Sequence, residues 1–354
     1  MSSYIPPHTY KQVMASPNHD EWSKAVNLEL QAMERMGVWE EASEVLAGVP
    51  VLHTVWVFKK KFDANGNLVK YKASKLEENM YLHIPLGLSA PRANPCLLRS
   101  LVEGWECFVH VYMDDMVVIS NDVARFKSLI SDRFVMDDLG PINSLLGMKI
   151  KHCDNHLTLS QEKYISSILE EYNLSTCRSV PTPMIPNTCL VEATQQEKDE
   201  FSKLQVNYRR AIGLVNWAAV ATRPDIGFAV SQLSQHLENP GRLHWKAFIH
   251  LLRYLSGTKH YALTVGGGDN SISIYVDADF ASCVDTCCSY SGYLVRWGNS
   301  LISWRARKQA TVSTSTTEAE YKALYDGVQE AIWLRALLGF LGIVDYPIPI
   351  YVNN

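Results

Sequence analysis

The hydrophobic positions of this chain change their period several times, which predicts a fold of mixed helices and strands. Near the amino terminus, apolar residues at three-to-four spacing follow Asp20 and predict a helix that ends at Gly37. The segment from Thr54 to Phe62 is rich in Val, Trp and Phe and predicts a strand, with Leu68 to Ala73 as its return strand. Residues Met1 to Asn18 are rich in proline and polar side chains, which predicts an extended segment.

A second hairpin is predicted from Val111 to Ile119, where apolar residues lead up to Asp114 and Asp115 and continue after them. In one interpretation the pair is a solvated tip, because aspartate favours turns. In the other, two carboxylates on a rigid hairpin bind Mg²⁺, which prefers oxygen ligands and supports phosphoryl transfer in two-metal sites. Asp-Asp is a common dipeptide, so the spacing alone favours the solvated turn.

The middle of the chain is predicted to be mainly helical. Pro181, Pro183 and Pro186 interrupt regular structure and predict a linker from Cys177 to Lys198. Helices are predicted on both sides of this linker, over Ser160 to Tyr172, Val206 to Ala221, Pro224 to Leu237 and His244 to Gly257.

The carboxyl-terminal part combines strands with one long helix. From Ser271 to Asp279 the residues alternate, which predicts a strand with Ile274 and Val276 on one face and Asp277 on the other. Further strands are predicted over Gly292 to Trp297, Leu301 to Arg305 and Ile348 to Val352, with a helix from Thr317 to Leu341. The predicted buried face of this helix consists of Leu324, Val328, Ala331 and Leu338.

Glu320 lies on the predicted buried face, where an unpaired carboxylate is costly. One interpretation is a capping box in which Glu320 pairs with Thr317 at the start of the helix. The other is a metal site that Glu320 shares with Asp277 of the strand. Both interpretations fit the local sequence.

Composition indicates a globular protein with several domains: 354 residues, of which 47% are hydrophobic and 20% charged. The formal net charge of −4 excludes a general basic field, so nucleic-acid binding would depend on local patches. The eight cysteines lack zinc-ligand spacing, and free thiols in a reducing compartment are expected. Neither a signal peptide nor a membrane span is predicted, so the expected location is the cytoplasm or nucleus, without secretion or a membrane partner.

The first predicted hairpin is unusually basic. Its lysines are Lys59, Lys60, Lys61, Lys70, Lys72 and Lys75, against the single acid Asp63. Lysines protect exposed sheet edges from pairing, and they also contact phosphates. The sequence leaves these two interpretations about equal.

Several ordered motifs resemble the reverse transcriptase of copia-type retrotransposons. They include Trp22-Ser23-Lys24-Ala25, Trp56-Val57-Phe58-Lys59, Tyr71-Lys72-Ala73, Tyr112-Met113-Asp114-Asp115 and Asp138-Leu139-Gly140-Pro141. The resemblance continues through Ala221-Thr222-Arg223-Pro224-Asp225 almost to the carboxyl terminus. It implies a palm-and-fingers polymerase followed by a helical connection.

The last part of the chain resembles the RNase H domain of the same family. The matching motifs are Tyr275-Val276-Asp277-Ala278-Asp279, Ser291-Gly292-Tyr293, Ile302-Ser303-Trp304 and Glu318-Ala319-Glu320-Tyr321. The resemblance implies that Asp277 and Glu320 are catalytic acids and that Asp279 and Asp326 are structural. The acid-free stretch with Arg296, Arg305, Arg307 and Lys308 is interpreted either as a phosphate contact or as ordinary surface charge.

The resemblance implies a nominal function of RNA-templated DNA synthesis together with degradation of RNA in RNA–DNA hybrids. Asp114, Asp115, Asp277 and Glu320 would bind Mg²⁺, or Mn²⁺ in its place, and Lys72 would contact the phosphates of the incoming nucleotide. The implied partners in intact relatives are an RNA template, a DNA primer, an RNA–DNA hybrid and deoxynucleoside triphosphates. The sequence does not indicate an oligomeric state.

Two departures from the family pattern concern the catalytic acids. No aspartate lies between Asp63 and Asp114, where the family has a third polymerase aspartate, so an internal segment is expected to be missing. The third nuclease acid corresponds to Asn353, which brings no charge. The chain ends one residue later, so we also expect the closing elements of the domain to be absent. These departures predict weak or no activity in both reactions.

The predicted fold class is α/β, in the broad sense that includes α+β. The predicted domains are a truncated reverse transcriptase (1–175), a linker (176–200), a helical connection (201–265) and an incomplete RNase H-like mixed sheet with helices (266–354). The alternatives to an impaired enzyme are a non-catalytic nucleic-acid-binding module and a structural or interaction protein derived from the element.

Overall fold

The computed structural model describes residues 10–35, 55–62, 68–76, 88–89, 94, 96–100, 102–112, 115–131, 136–186, 188–343 and 347–352. The chain separates into two compact units, residues 1–138 and residues 139–354. Helices and several sheets occur together, which confirms the predicted α/β class. None of the described helices is both long and apolar enough to cross a membrane.

The first unit contains two helices, a hairpin, a small sheet and a further helix. They are α1 (Tyr10–Met14), α2 (His19–Arg35), β1 (Val55–Phe62), β2 (Leu68–Leu76), β3 (Leu88–Ser89), β4 (Leu97–Ser100), β5 (Cys107–Tyr112), β6 (Asp115–Ser120) and α3 (Val123–Ser131). The prediction of an extended amino terminus is wrong for α1. This short helix is held by tertiary packing, because Val13 is fully buried in one cluster with Trp22 of α2.

The basic hairpin β1–β2 pairs in an antiparallel register that places Lys59 opposite Lys72 and Lys61 opposite Lys70. Directly opposite residues share one face of a sheet, so these four positions lie on the same face. Tyr71 belongs to the other face, where its ring contacts Trp22 of α2 edge to face, with the ring centroids 4.6 Å apart. The helix therefore packs on the face that does not carry the four lysines.

The remaining strands of the first unit form an antiparallel sheet in the order β3-β4-β5-β6. The apolar residues of β5 alternate into a core in which Cys107 and Val109 are fully buried, together with Trp105 and with Phe126 and Ile130 of α3. This core holds the β5–β6 hairpin that was predicted between Val111 and Ile119.

The second unit contains two sheets and a group of helices. Its elements are β7 (Ser144–Leu145), β8 (Met148–Cys153), β9 (His156–Ser160), α4 (Glu162–Glu171), α5 (Gln195–Ser202), α6 (Tyr208–Ala221), a 3-10 turn (Pro224–Ile226), α7 (Gly227–Ser234), α8 (Arg242–Thr258), β10 (Ala262–Gly266), β11 (Ile272–Ala278), β12 (Tyr290–Trp297), β13 (Ser300–Lys308), α9 (Thr316–Leu341) and β14 (Ile350–Val352). The predicted helices and strands of this half are confirmed with shifts of a few residues at their ends.

The predicted linker is a strap that lies along α8. The His250 Nε2 atom is 3.0 Å from the Thr182 carbonyl oxygen, and Arg253 Nε donates to the Arg178 carbonyl oxygen at 2.9 Å. The end of the predicted linker is wrong, because α5 begins at Gln195. Its cap is Thr194, whose hydroxyl accepts from the Glu197 amide while the Glu197 carboxylate accepts from the Thr194 amide.

One sheet joins segments from both sides of this strap. Strand β10 pairs antiparallel with β9, from Ala262 opposite Ser160 to Gly266 opposite His156, and the sheet order is β10-β9-β8-β7. Helix α4 contributes Ile165, Ile168 and Leu169 to the core that α6, α7 and α8 share. The predicted domain boundary at residue 175 therefore lies inside the second unit.

The other sheet has the order β13-β12-β11-β14, with β11 antiparallel to β12 and parallel to β14. Helix α9 packs on it with Ala323, Gly327, Leu334 and Leu338 buried, whereas Leu324, Val328 and Ala331 are only half-buried. The predicted buried face is therefore right for Leu338, partly right for Ala331, which packs against the same core, and wrong for Leu324 and Val328. Gly327 explains the shift, because a Cβ atom at this position would lie 2.5 Å from Cγ2 of Val276. The helix approaches the sheet through its smallest residues.

Candidate functional site

The β5–β6 hairpin presents its acids at an exposed turn. Tyr112 and Asp115 are register partners at the two ends of the strands, and both are exposed. Asp114 lies outside the described residues. Among the residues that the structure describes, no group of three or more His, Cys, Asp or Glu side chains could hold a metal ion. The described part of the hairpin thus presents one predicted acid, Asp115, without further ligands.

Lys72 lies on β2 directly opposite Lys59. Its side chain is outside the described residues, so its predicted contact with a nucleotide phosphate stays a prediction. The hairpin and the β5–β6 turn both belong to the first unit.

The second unit brings Asp277 and Glu320 together. Asp277 is exposed on β11, beyond the buried residues Ile274 and Val276 of the same strand. Glu320 lies in the first turns of α9, between the buried residues Ala319 and Ala323. A strand thus positions one carboxylate, and a helix that packs on this strand positions the other.

The electrostatics of Glu320 show that the two carboxylates are neighbours. Burial raises the pKa of Glu320, the negative charge of Asp277 raises it further, and a hydrogen bond with the Ala278 amide acts in the opposite direction. The Oε2 atom of Glu320 is buried and has no hydrogen-bond partner in the protein. Buried oxygens are nearly always satisfied, so a water or an ion is the expected partner of this atom. A divalent cation would satisfy Oε2 and relieve the repulsion from Asp277.

The alternative role of Glu320 in a capping box is wrong. The N-cap of α9 is Ser315, whose hydroxyl accepts from the Glu318 amide at 3.1 Å. The Glu318 carboxylate accepts from the amide and the hydroxyl of Thr314, at 2.7 and 2.8 Å, and these bonds together with Lys322 lower the pKa of Glu318 to about 2. Glu318 therefore takes part in the cap of the helix, and Glu320 does not.

The neighbouring charged residues are mostly tied to structural partners. Asp279 accepts hydrogen bonds from the Tyr290 amide at 2.6 Å and from the Ser282 hydroxyl, which fixes the loop after β11. Arg307 forms an ion pair with Asp326 in which Nε and Oδ2 are 2.9 Å apart. The Arg307 side chain is thus paired with Asp326. This pairing makes Arg307 less available for the predicted phosphate contact.

Glu330 is a structural residue that the sequence analysis did not single out. Its carboxylate accepts from the Tyr293 hydroxyl at 3.1 Å and from the Ser303 hydroxyl at 2.7 Å, which ties α9 to β12 and β13. Glu330 lies three residues after Gly327 and four before Leu334, and residues at these spacings share a helix face. This spacing was the signal in the sequence that Glu330 faces the sheet.

Part of the sequence matches a known protein family. Residues 97–186 match the model of the family described as reverse transcriptase (RNA-dependent DNA polymerase). The matched region includes the β5–β6 hairpin with Asp114 and Asp115, and it continues through α4 into the strap.

The similarity to polyproteins of plant transposons is broader. The chain is 30% identical to the retrovirus-related Pol polyprotein from transposon TNT 1-94 of Nicotiana tabacum, over 98% of the chain and 34% of that protein. It is 26% identical to the polyprotein from transposon RE2 of Arabidopsis thaliana, over 98% of the chain and 30% of the relative. It is 34% identical to the polyprotein from transposon RE1 of the same plant, over 70% of the chain and 17% of that relative.

The chain belongs to the family of retrovirus-related Pol polyproteins of copia-type transposons and carries a fragment of their reverse transcriptase. It spans about one third of the length of the first two relatives. The alignment with the tobacco protein covers 450 positions, which exceeds the 354 residues of the chain by 96. At least that many aligned positions of the relative have no counterpart in this chain.

Proposed function

We propose that residues 266–354 are the RNase H part of the polyprotein and that Asp277 and Glu320 bind its divalent metal. The buried, unpaired Oε2 atom of Glu320 beside the Asp277 carboxylate carries this proposal. A carboxylate on a strand and a second one in the first turns of a packed helix also match the resemblance of this region to RNase H domains. The substrate would be the RNA strand of an RNA–DNA hybrid, and the ion Mg²⁺ or Mn²⁺.

A bound divalent ion supplies a Lewis acid and an activated water for attack on a phosphodiester. Asp277 and Glu320 would hold and orient this ion through carboxylate oxygens. Two acids bring less negative charge than the usual set, because the position of the third acid is Asn353, which lies outside the described residues. An amide oxygen donates to a metal without offsetting its charge, so we expect impaired cleavage.

The polymerase activity is proposed to be impaired as well. Asp114 and Asp115 would bind metal and nucleotide in the complete relatives, but this sequence has no aspartate between Asp63 and Asp114. The alignment with the tobacco polyprotein has more positions than this chain has residues. This difference supports a missing internal segment. The reverse transcriptase family acts with divalent metal on nucleic acids, and this fragment would retain only part of that site.

Activity assays test both halves of this proposal. We expect the purified chain not to extend a DNA primer on an RNA template with Mg²⁺ or Mn²⁺, and to cleave an RNA–DNA hybrid weakly or not at all. Any residual cleavage should disappear in Asp277→Asn. Robust extension that Asp115→Asn abolishes would contradict the proposed polymerase defect, and efficient hybrid cleavage would contradict the proposed nuclease defect.

A stability measurement tests the metal site without activity. Because the folded-state pKa of Glu320 is raised, its carboxylate costs stability once the pH rises above the ordinary pKa of 4.5. Without metal at pH 7, Glu320→Gln should therefore have a higher free energy of unfolding and a higher melting temperature than the wild type. Below pH 4.5 the difference should vanish. Thermal unfolding between pH 4 and pH 8 measures it.

With metal, the wild type should become more stable than Glu320→Gln. An ion that binds only the folded state adds about 2.7 kcal/mol to the free energy of unfolding at one hundred times its dissociation constant. The wild type should gain this stability with Mn²⁺, whereas Glu320→Gln and Asp277→Asn should not. Glu318→Gln is the matched control, since it removes an acid from the same helix turn but not from the site. It should lower the stability without metal slightly and keep the metal response. A metal response unchanged in Glu320→Gln would exclude this site.

A second candidate function is nucleic-acid binding by the basic hairpin. Like charges directly opposite each other destabilise a sheet, yet Lys59 faces Lys72 and Lys61 faces Lys70 on a face that α2 does not cover. Phosphates of a nucleic-acid backbone would offset that repulsion. Register partners on this face are roughly 4.8 Å apart, which is the spacing between neighbouring strands.

Salt-dependent binding distinguishes this candidate. Lys59→Gln with Lys72→Gln should reduce the slope of log affinity against log salt by about 2, because two phosphate contacts are lost. Lys60→Gln is the matched control on the opposite face, where Lys60 is the register partner of Tyr71. Titration of an RNA–DNA hybrid at several salt concentrations gives both slopes. Equal slopes for the double variant and the control would argue against this binding face.

A further inference from the structure

The loop between β11 and β12 places two buried thiols side by side. Cys283 and Cys288 are 8% and 7% exposed and pack together with Tyr290. The Cys283 amide donates to the Cys288 carbonyl oxygen at 3.1 Å, and the Cys287 amide donates to the Cys283 carbonyl oxygen at 2.7 Å. Cys283 and Cys288 are thus direct backbone neighbours, as the short Cα–Cα separation of a disulfide requires. The loop geometry therefore suits a bond between these two sulfurs.

The surroundings of Cys283 favour its reactive form. The Thr286 hydroxyl donates to its Sγ atom at 3.0 Å, and Nζ of Lys308 lies 3.8 Å from the same sulfur. Burial alone raises the pKa of Cys283, but hydrogen bonds from Thr286 and the positive charge of Lys308 outweigh it and hold this pKa below the ordinary value. A thiolate with a hydroxyl and an ammonium group beside it is a typical nucleophile.

Metal binding does not account for this cluster. All eight cysteines are among the described residues and all are free thiols. No group of three or more potential ligands that includes them could hold a metal ion.

We propose that Cys283 and Cys288 are a peroxide-reactive pair that closes to a disulfide. The Cys283 thiolate attacks one oxygen of hydrogen peroxide, the O–O bond breaks, and Cys283 becomes a sulfenic acid while the released hydroxide takes a proton to form water. The Cys288 sulfur then attacks the Cys283 sulfur, the S–O bond breaks, and the second water leaves with the Cys288 proton. Two thiols and one peroxide thus give one disulfide and two waters.

The loop is already held in the geometry that this step needs. Its first residue, Asp279, binds the Tyr290 amide at the far end of the loop. In the middle of the loop, the Asp285 carboxylate accepts from the Glu192 amide at 2.8 Å. Pre-organised ends favour closure over reaction with an outside thiol. This pair is independent of the proposed metal site, so either proposal stands or fails without the other.

Peptide mapping of the full chain after treatment with hydrogen peroxide tests the proposal. We expect a peptide pair joined through Cys283 and Cys288, lighter by two hydrogen atoms and restored by dithiothreitol. Cys288→Ser should stop at a sulfenic acid on Cys283, which dimedone traps. Cys287→Ser is the matched control and should oxidise as the wild type does. A bridge through Cys287, or oxidation confined to the exposed Cys153 and Cys189, would overturn the proposal.

The rate of oxidation tests the role of Lys308. Lys308→Gln should slow the formation of the disulfide about three- to tenfold at pH 7, because the thiolate fraction falls. Lys308→Arg should restore most of the rate, since it keeps the positive charge. An unchanged rate in Lys308→Gln, with circular dichroism confirming the fold, would show that the ammonium group does not activate Cys283.

Discussion

A fragment that begins at residue 139 should fold by itself, whereas one that begins at residue 176 should not. The shorter fragment loses α4, whose Ile165, Ile168 and Leu169 are at most 2% exposed in the core of the second unit. Removing one such side chain from a core costs about 2–5 kcal/mol. Three of them approach the whole stability of a domain, which is about 5–15 kcal/mol.

The shorter fragment also loses β9 and leaves the edge of β10 unpaired. Circular dichroism and urea unfolding of both fragments, together with the full chain, measure the difference. Cooperative unfolding is expected for 139–354 and an aggregating or non-cooperative product for 176–354. If the shorter fragment unfolded cooperatively with similar stability, the contribution of α4 and β9 would be much smaller than the packing indicates.

Arg223→Ala should clearly destabilise the helical core. Arg223 is 1% exposed, and its guanidinium donates to both carboxylate oxygens of Asp225, at 2.9 and 2.6 Å, and to the carbonyl and hydroxyl of Thr258, at 3.0 and 2.7 Å. Tyr254 donates to Asp225 at 2.8 Å. Asp225 is partly in water and keeps the bond from Tyr254, so the main cost is the loss of the buried donors to Thr258, about 1–3 kcal/mol.

Arg210→Ala is the matched control, since it removes an arginine from an exposed ion pair with Glu171 on the adjacent helix. It should cost no more than about 1 kcal/mol. The pH dependence separates the two further. Burial opposes the ionised form of Asp225, but Arg223 and Tyr254 outweigh it and lower the pKa of Asp225, so their stabilisation is present above pH 3.8 and fades as the pH falls. Urea unfolding at pH 7 and pH 3 should show this loss in the wild type and not in Arg223→Ala.

Local pattern was enough to predict most elements of the fold. Alternation placed Ile272, Ile274 and Val276 in the core, and the structure buries all three to 3% exposure or less. The prolines predicted the irregular segment between α4 and α5, and the β5–β6 hairpin formed where its apolar residues predicted it. These predictions depended on periods that extend over only a few residues, which the sequence displays directly.

The sequence could not supply what depends on distant residues. Nothing near Ala262 indicates that its partner is Ser160, and nothing near Val13 indicates that Trp22 will bury it. The face of α9 was assigned from its large residues, although Gly327 against Val276 sets the contact. For the site, the sequence named Asp277 and Glu320. It did not reveal that Ser315 and Glu318 take over the helix cap.

Pairing between β9 and β10 sets an order of events during synthesis on the ribosome. Roughly a hundred residues must be translated after β9 before its partner strand exists, which takes about 5–20 s at 5–20 residues per second. During this interval α4 and β9 are exposed nascent chain with an open strand edge, and chaperones that shield such edges would act there. In the first unit the β5–β6 pairing has no such delay, because only two residues separate these strands.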